Sequence, residues 1–170
     1  MSQELLSKLN TSHIDEISSS RNEPDWLKDY RKNSLSVYDR LPMEMSPLYN
    51  KYTDAKKMDP EKVSLSTSTT DTIPSFLTKR LGELENEICI IQIGTNIHKI
   101  NLPDELKSKG LVISSISDAI ENNSELVKKA LDASKSEEDR FTALNNAAFN
   151  SGIFIHIPRN FILDKPIHFL

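Results

Sequence analysis

The sequence has 170 residues, a formal net charge of −4, 37% hydrophobic and 27% charged residues. That length gives one domain of moderate size, or one domain with a helical arm, able to bury roughly two thirds of the surface its unfolded chain exposes. Interspersed acid and base leave no basic stripe for nucleic acid, no apolar run reaches the ~18 residues of a membrane span, and the single cysteine, Cys89, excludes an internal disulfide and suits a reducing compartment.

The N-terminal stretch MSQELLSKLN has no signal-peptide layout, so the expected location is the cytoplasm. Leu5, Leu6, Leu9, Ile14 and Ile17 recur at helical spacing over residues 2–20, and the serines at 18–20 end that run. A second helix follows in SRNEPDWLKDYRKNSLSVYDRLP. Asn22 is the expected cap, Glu23 suits the positive end of the helix, and the missing N–H of Pro24 is harmless at a helix start. Trp26, Tyr30, Val37 and Leu41 fall on one face, with Ser34 or Asn33 between them, and Pro42 ends the helix.

Residues 46–75 are rich in Ser, Thr, Lys and Asp and read as a linker or long surface loop. A short helix is expected from Pro74 to Glu85, with Phe76, Leu77, Leu81 and Leu84 inward. EICIIQIGTNIHKINLP is β-branched around the turn signal Gly94-Thr95-Asn96, which predicts a hairpin with strands 88–93 and 97–101. LVISS, 111–115, reads as a third strand. Two helices follow, the second starting at a capping Ser124. Ser136 and Asp139 form a capping-box pattern for a helix over 137–149, whose apolar positions include Phe141, Leu144, Ala148 and Phe149. Gly152 is placed as its C-terminal stop.

The chain then presents IFIHIP, NFILDKP and IHFL, three short apolar segments separated by corners containing proline and asparagine. No Asn-Gly or Gly-containing turn joins them as hairpins. Abrupt corners between short strands suit the coils of a parallel β-helix, in which one coil cannot bury its own face. A sequence stopping at Leu170 would leave an apolar edge, so the expectation is that further coils, or another chain, cover it.

Two segments carry a resemblance. SRNEPDWLKDYRKNSLSVYDRLPME is similar to the Arg-x-Glu-Pro-x-Trp…Arg…Leu-Pro segment near the N-terminus of the SufB/SufD family of iron–sulfur cluster assembly proteins. EEDRFTALNNAAFNSGIFIHIPRNFILDKPIHFL resembles the Phe-x-Ala-Leu-Asn-x-Ala-x-Phe-x-x-Gly…Pro-Ile segment that marks entry into that family's β-helix. The middle of the chain resembles the SufD-like branch.

The resemblance implies an α+β chain: an N-terminal helical arm (1–45), a linker or loop (46–75), a small α+β unit whose last helix caps the β-helix (76–150), and the first coil of a right-handed parallel β-helix (151–170). It implies a cytosolic scaffold subunit of the SUF system that is not an enzyme and works by protein–protein contact. Its partners would be a SufB-like or SufD-like subunit and an ABC-type, SufC-like ATPase, with no nucleic acid and no membrane. The iron–sulfur cluster would belong to the complex; no cofactor, metal or catalytic residue is assigned to this chain, since the family's Cys and His positions for cluster building lie beyond it.

The residues themselves agree with this restraint. Cys89 sits among isoleucines and reads as a buried strand position, and one thiol cannot hold an iron–sulfur cluster. His156 and His168 fall in successive expected strands, where stacked coils would bring them near one another, yet two histidines without a thiol or carboxylate make a weak metal signal. His13 and His98 have no accompanying ligand pattern. Trp26 and Tyr30, at i and i+4, read as core packing before an aromatic docking face. Arg21 and Glu23 are expected to pair at the surface, with little effect. Phosphate-binding glycine motifs and nucleophile elbows are absent. Two other readings remain open: a self-contained module that dimerises through its edge strand, and a fragment of a β-helix carbohydrate-acting enzyme, for which the last strands supply only Asp164.

Overall fold

A computed structural model describes residues 9–43, 64 and 72–170. The chain is α+β and divides into two compact units that are discontinuous in sequence: residues 1–65 with 128–150, and residues 66–127 with 151–170. The last two helices before residue 150, read in sequence as part of the hairpin's unit, thus contribute residues 128–150 to the cluster of the N-terminal helices. The expected linker over 46–75 lies almost wholly outside the described residues, as do Leu5 and Leu6 of the first helical run.

The first unit contains α1 (Thr11–Ser20), α2 (Asp25–Arg40), the C-terminal part of α6 (Ser124–Ala133) and α7 (Arg140–Ala148). Helix α1 starts at a cap the sequence reading did not assign. The Asn10 side chain accepts from the backbone N–H of Ser12 and His13, and His13 Nδ1 accepts from the N–H of Asn10 at 3.3 Å. Asn22 does not cap α2: it sits in the left-handed region, φ 52°, in the turn between the helices. Pro24 occupies the cap position and makes no side-chain capping bond.

The buried face of α2 is Leu27, Arg31, Ser34, Leu35, Val37 and Tyr38, a stripe offset from the expected Trp26–Tyr30–Val37–Leu41 line. The offset arises because Arg31, which hydropathy places outside, is fully buried. Ile14, Leu35, Val37, Tyr38, Ala143, Leu144 and Ala147 form one apolar cluster of α1, α2 and α7, with Leu9 and Leu41 packed against it. The small alanines at 143 and 147 recur at i and i+4 and let α7 approach closely.

Helix α7 is shorter than the expected 137–149 and begins one turn later. Asp139, not Ser136, is its N-cap, accepting from the N–H of Phe141 at 2.7 Å and of Thr142 at 2.9 Å. Ser136 is instead buried. The helix ends at Ala148, with Phe149 already extended. Gly152 is therefore not its stop; the Gly152 carbonyl accepts from the N–H of Ile116 at 2.9 Å, within the second unit.

The second unit holds α3 (Ser75–Glu83), β1 (Ile88–Ile93), β2 (Asn96–Asn101), α4 (Asp104–Ser108), β3 (Val112–Ser115), α5 (Ile116–Asn122), β4 (Ile153–His156) and β5 (Ile167–Phe169). The hairpin is as expected, antiparallel, with Gly94 at φ 60° in its turn and a register irregularity between Ile91 and Gln92. Strand β1 lies between β2 and β5, the latter parallel to it, and β3 pairs antiparallel with β4. Being central, β1 is buried on both faces, which is why it reads as an unbroken apolar run. Ile88 and Ile90 join Leu102, Leu111 and Ile113, while Cys89 and Ile91 join Leu84 beside Leu81 and Leu170.

Ser115 caps α5 by accepting from the N–H of Asp118. Helix α6 includes Ser124 as its first residue, so Ser124 is not a cap outside it. Phe76, expected to face inward on α3, is 78% exposed, and Leu84 supplies the buried contact there. Of the three terminal apolar segments, the first and last are strands. The middle one, residues 160–166, is not. It starts with Asn160 at φ 63° and leaves Ile162 88% exposed, though Phe161 and Leu163 pack on the sheet core. Gly110, at φ 90°, is required: a Cβ there would lie 3.1 Å from the Pro158 ring.

Candidate interaction site

The side chains that resemble family motifs converge in the first unit on Arg31. Helix α2 carries Arg31 one face away from solvent, and the turn before it places Glu23 alongside. Arg31 Nε donates to Glu23 Oε2 at 2.8 Å and Nη2 donates to Oε1 at 2.7 Å, the planar two-point match between guanidinium and carboxylate. The remaining nitrogen, Nη1, donates to the carbonyl of Ala147 at 3.1 Å, and the guanidinium carbon lies 4.0 Å from the centre of the Phe149 ring. Both partners of the ion pair are buried, at 0% and 5% exposure. Ser18 Oγ donates to the second Glu23 oxygen at 3.1 Å, so the carboxylate is held from α1 as well. Arg21, the partner expected for Glu23, is displaced by Arg31; burial lowers the Arg21 pKa from its usual value, and the Arg31 charge lowers it further.

Beside this pair runs a buried hydrogen-bond chain. Asn146 Nδ2 donates to the Ser134 carbonyl at 2.9 Å and to Ser136 Oγ at 3.0 Å; Ser136 and Ser34 Oγ are 2.9 Å apart; Ser34 donates to the Tyr30 carbonyl at 2.8 Å. With Ser34 donating to Tyr30, Ser136 is the donor to Ser34, and every hydroxyl is used once in each sense. The telling residue of ALNNAAF is therefore Asn146, which orders the loop between α6 and α7 by hydrogen bonds that apolar packing cannot supply.

Trp26 and Tyr30 are half-buried rather than core residues. With Asn33 from α2, and Lys128, Leu131 and Asp132 from α6, they line a groove of about 280 Å³. The Lys128 ammonium lies 5.3 Å from the centre of the Trp26 ring. The Tyr30 hydroxyl donates to the Leu131 carbonyl at 3.3 Å. Burial pushes the Tyr30 phenol pKa up; Ser136 opposes this, and the Asp132 and Glu137 carboxylates add to it.

Cys89 is buried, 4% exposed, and burial pushes its thiol pKa up, which keeps it protonated and unreactive. It lies in register with Asn101 on one side and His168 on the other. His156 and His168 do not lie in one sheet: His156 is opposite Val112 in the two-stranded sheet, and His168 is on β5, opposite Cys89, in the other. His98 lies on β2 and His13 is engaged at the start of α1. Among the described residues, no three His, Cys, Asp or Glu side chains gather as a metal site, and no helix is long and apolar enough to cross a membrane.

A family model described as SufBD protein, N-terminal region, matches residues 6–169. The chain is 28% identical over 169 residues to an iron–sulfur cluster assembly SufBD family protein of Staphylococcus aureus (strain USA300), covering 91% of this chain and 36% of that protein. It is 30% identical over 165 residues to the iron–sulfur cluster assembly protein SufD of Bacillus subtilis (strain 168), covering 91% and 37%. The chain thus spans little more than a third of the length of the curated relatives it matches.

Proposed function

The chain belongs to the SufBD family, to its N-terminal region, and on that premise we propose that it is the N-terminal part of a SufD-like scaffold subunit for iron–sulfur cluster assembly. The single observation that carries this reading is the family match running unbroken from residue 6 to 169. The meeting of Glu23 and Arg31 with Ala147 and Phe149 supports it, because Arg31, paired with Glu23 inside the first family-like segment, reaches the Ala147 carbonyl and the Phe149 ring of the second. In this reading the chain works in the cytoplasm by protein–protein contact and is not itself an enzyme. An ABC-type, SufC-like ATPase hydrolyses ATP, a SufB-like or SufD-like subunit is the scaffold partner, and the cluster is a property of the complex. Residues 151–170 are the entry to a right-handed parallel β-helix.

The test is co-expression of the full-length protein with its cognate ATPase and partner scaffold subunit, followed by capture on the ATPase. The expected result is a three-component complex that takes up iron and sulfide and develops the visible absorption of a cluster. Recovery of the protein with neither subunit overturns the reading.

One observation favours a second reading, an interaction module that pairs through its sheet edge. Ile155, Ile157 and Phe169, on or beside the edge strands β4 and β5, are 42%, 48% and 58% exposed. A stable dimer of the 170-residue chain in light scattering, lost on Ile155→Lys, would support it; a monomer would remove it.

A further inference from the structure

We draw no further inference here: the strongest candidate, the surface patch of exposed apolar side chains Ile155, Ile157, Ile162 and Phe169 on and between β4 and β5, carries none, because nothing in the structure shows what covers it.

Discussion

The two units solve the burial problem by different means. In the sheet unit the interior is aliphatic: Ile88, Ile90, Leu102, Leu111 and Ile113 on one face of β1, Cys89, Ile91 and Leu84 on the other. In the helical unit an apolar cluster of similar size is flanked by buried Arg31, Ser18, Ser34, Ser136 and Asn146. Apolar burial is non-directional and spreads its stabilisation over many contacts. Hydrogen-bonded polar groups are directional, and a missing partner leaves the other unsatisfied in low dielectric. The helical unit gathers segments distant in the chain, with the bond from Arg31 to Ala147 spanning 116 positions. It spends its specificity on a few residues, and the sheet unit does not.

The sharpest way to break that contrast is at Arg31. Arg31→Ala strands the Glu23 carboxylate, buried at 5% exposure, and removes the bond to Ala147. Losing one member of a buried pair costs about 3–5 kcal/mol. The loss should appear in denaturant unfolding and as early hydrogen exchange in α1, α2 and α7. Arg31→Lys should recover only part of it, because an ammonium cannot match both carboxylate oxygens and reach Ala147 as well. If Arg31→Ala is silent, Arg31 is not what joins the two motif segments. Ile90→Ala is the counterpart in the sheet unit. It leaves a cavity in the centre of β1 and should cost roughly 2–5 kcal/mol, read as faster exchange in β1, β2 and β5. The contrast lies in rescue: Ile90→Val should restore most of the stability, since packing tolerates a lost methyl far better than a buried carboxylate tolerates a lost partner.

The same contrast decides what could be read from the sequence. The hairpin was legible to within a residue because β-branched runs around Gly94 leave no other solution. Strands β3, β4 and β5 were legible from apolar runs, but the segment at 160–166 has the same composition as its neighbours and is not a strand. Apolar composition alone cannot distinguish a strand from an extended segment whose alternate residues pack. Helix α4 went unseen, although Pro103 followed by Asp104 and Glu105 is a helix-start signal; five residues are too few to show a period.

Helix α2 was located correctly but rotated, because the expectation that charge faces water excluded Arg31 and promoted Trp26. The helix-start signals at Asn22 and Ser136 failed for a related reason. Asn22 served the tight turn and Ser136 the buried network, both tertiary demands that a local cap pattern does not encode. The groove followed the same course: Trp26 and Tyr30 were visible as a pair, but its second wall comes from α6, about a hundred positions away, and no spacing rule connects the two.

Asn146→Ala sharpens the comparison at smaller amplitude. It removes the donor to the Ser134 carbonyl and to Ser136 and leaves Ser136 buried with one bond fewer. The expected loss is about 1–3 kcal/mol, the range for an unsatisfied buried polar group. The double variant Asn146→Ala with Ser136→Ala should lose less than the sum of the single changes, because the second substitution removes the group the first left stranded. Strict additivity in a double-mutant cycle would mean that the chain is four separate contacts and not a network.

The smallest effect is at the start of α7, and its pH dependence identifies its origin. Burial alone would raise the Asp139 pKa, but the Thr142 hydroxyl and the N–H groups of Thr142 and Phe141 outweigh it, so the carboxyl titrates below its ordinary 3.8. A carboxyl whose folded value is depressed stabilises the fold above its unfolded value, and that contribution is lost as the pH falls through the folded value. Asp139→Ala should therefore cost about 1 kcal/mol at neutral pH, the usual worth of an N-cap. The difference from the native chain should hold steady down to about pH 4 and shrink only below it. Asp139→Asn keeps an accepting oxygen and should recover most of the cap without the acid dependence. Melting curves of the three proteins at pH 7 and pH 3 separate the outcomes. A native–alanine gap unchanged at pH 3 would show that Asp139 acts through its hydrogen-bond geometry alone, and its charge would then carry none of the ordering of the helix that brings Ala147 to Arg31.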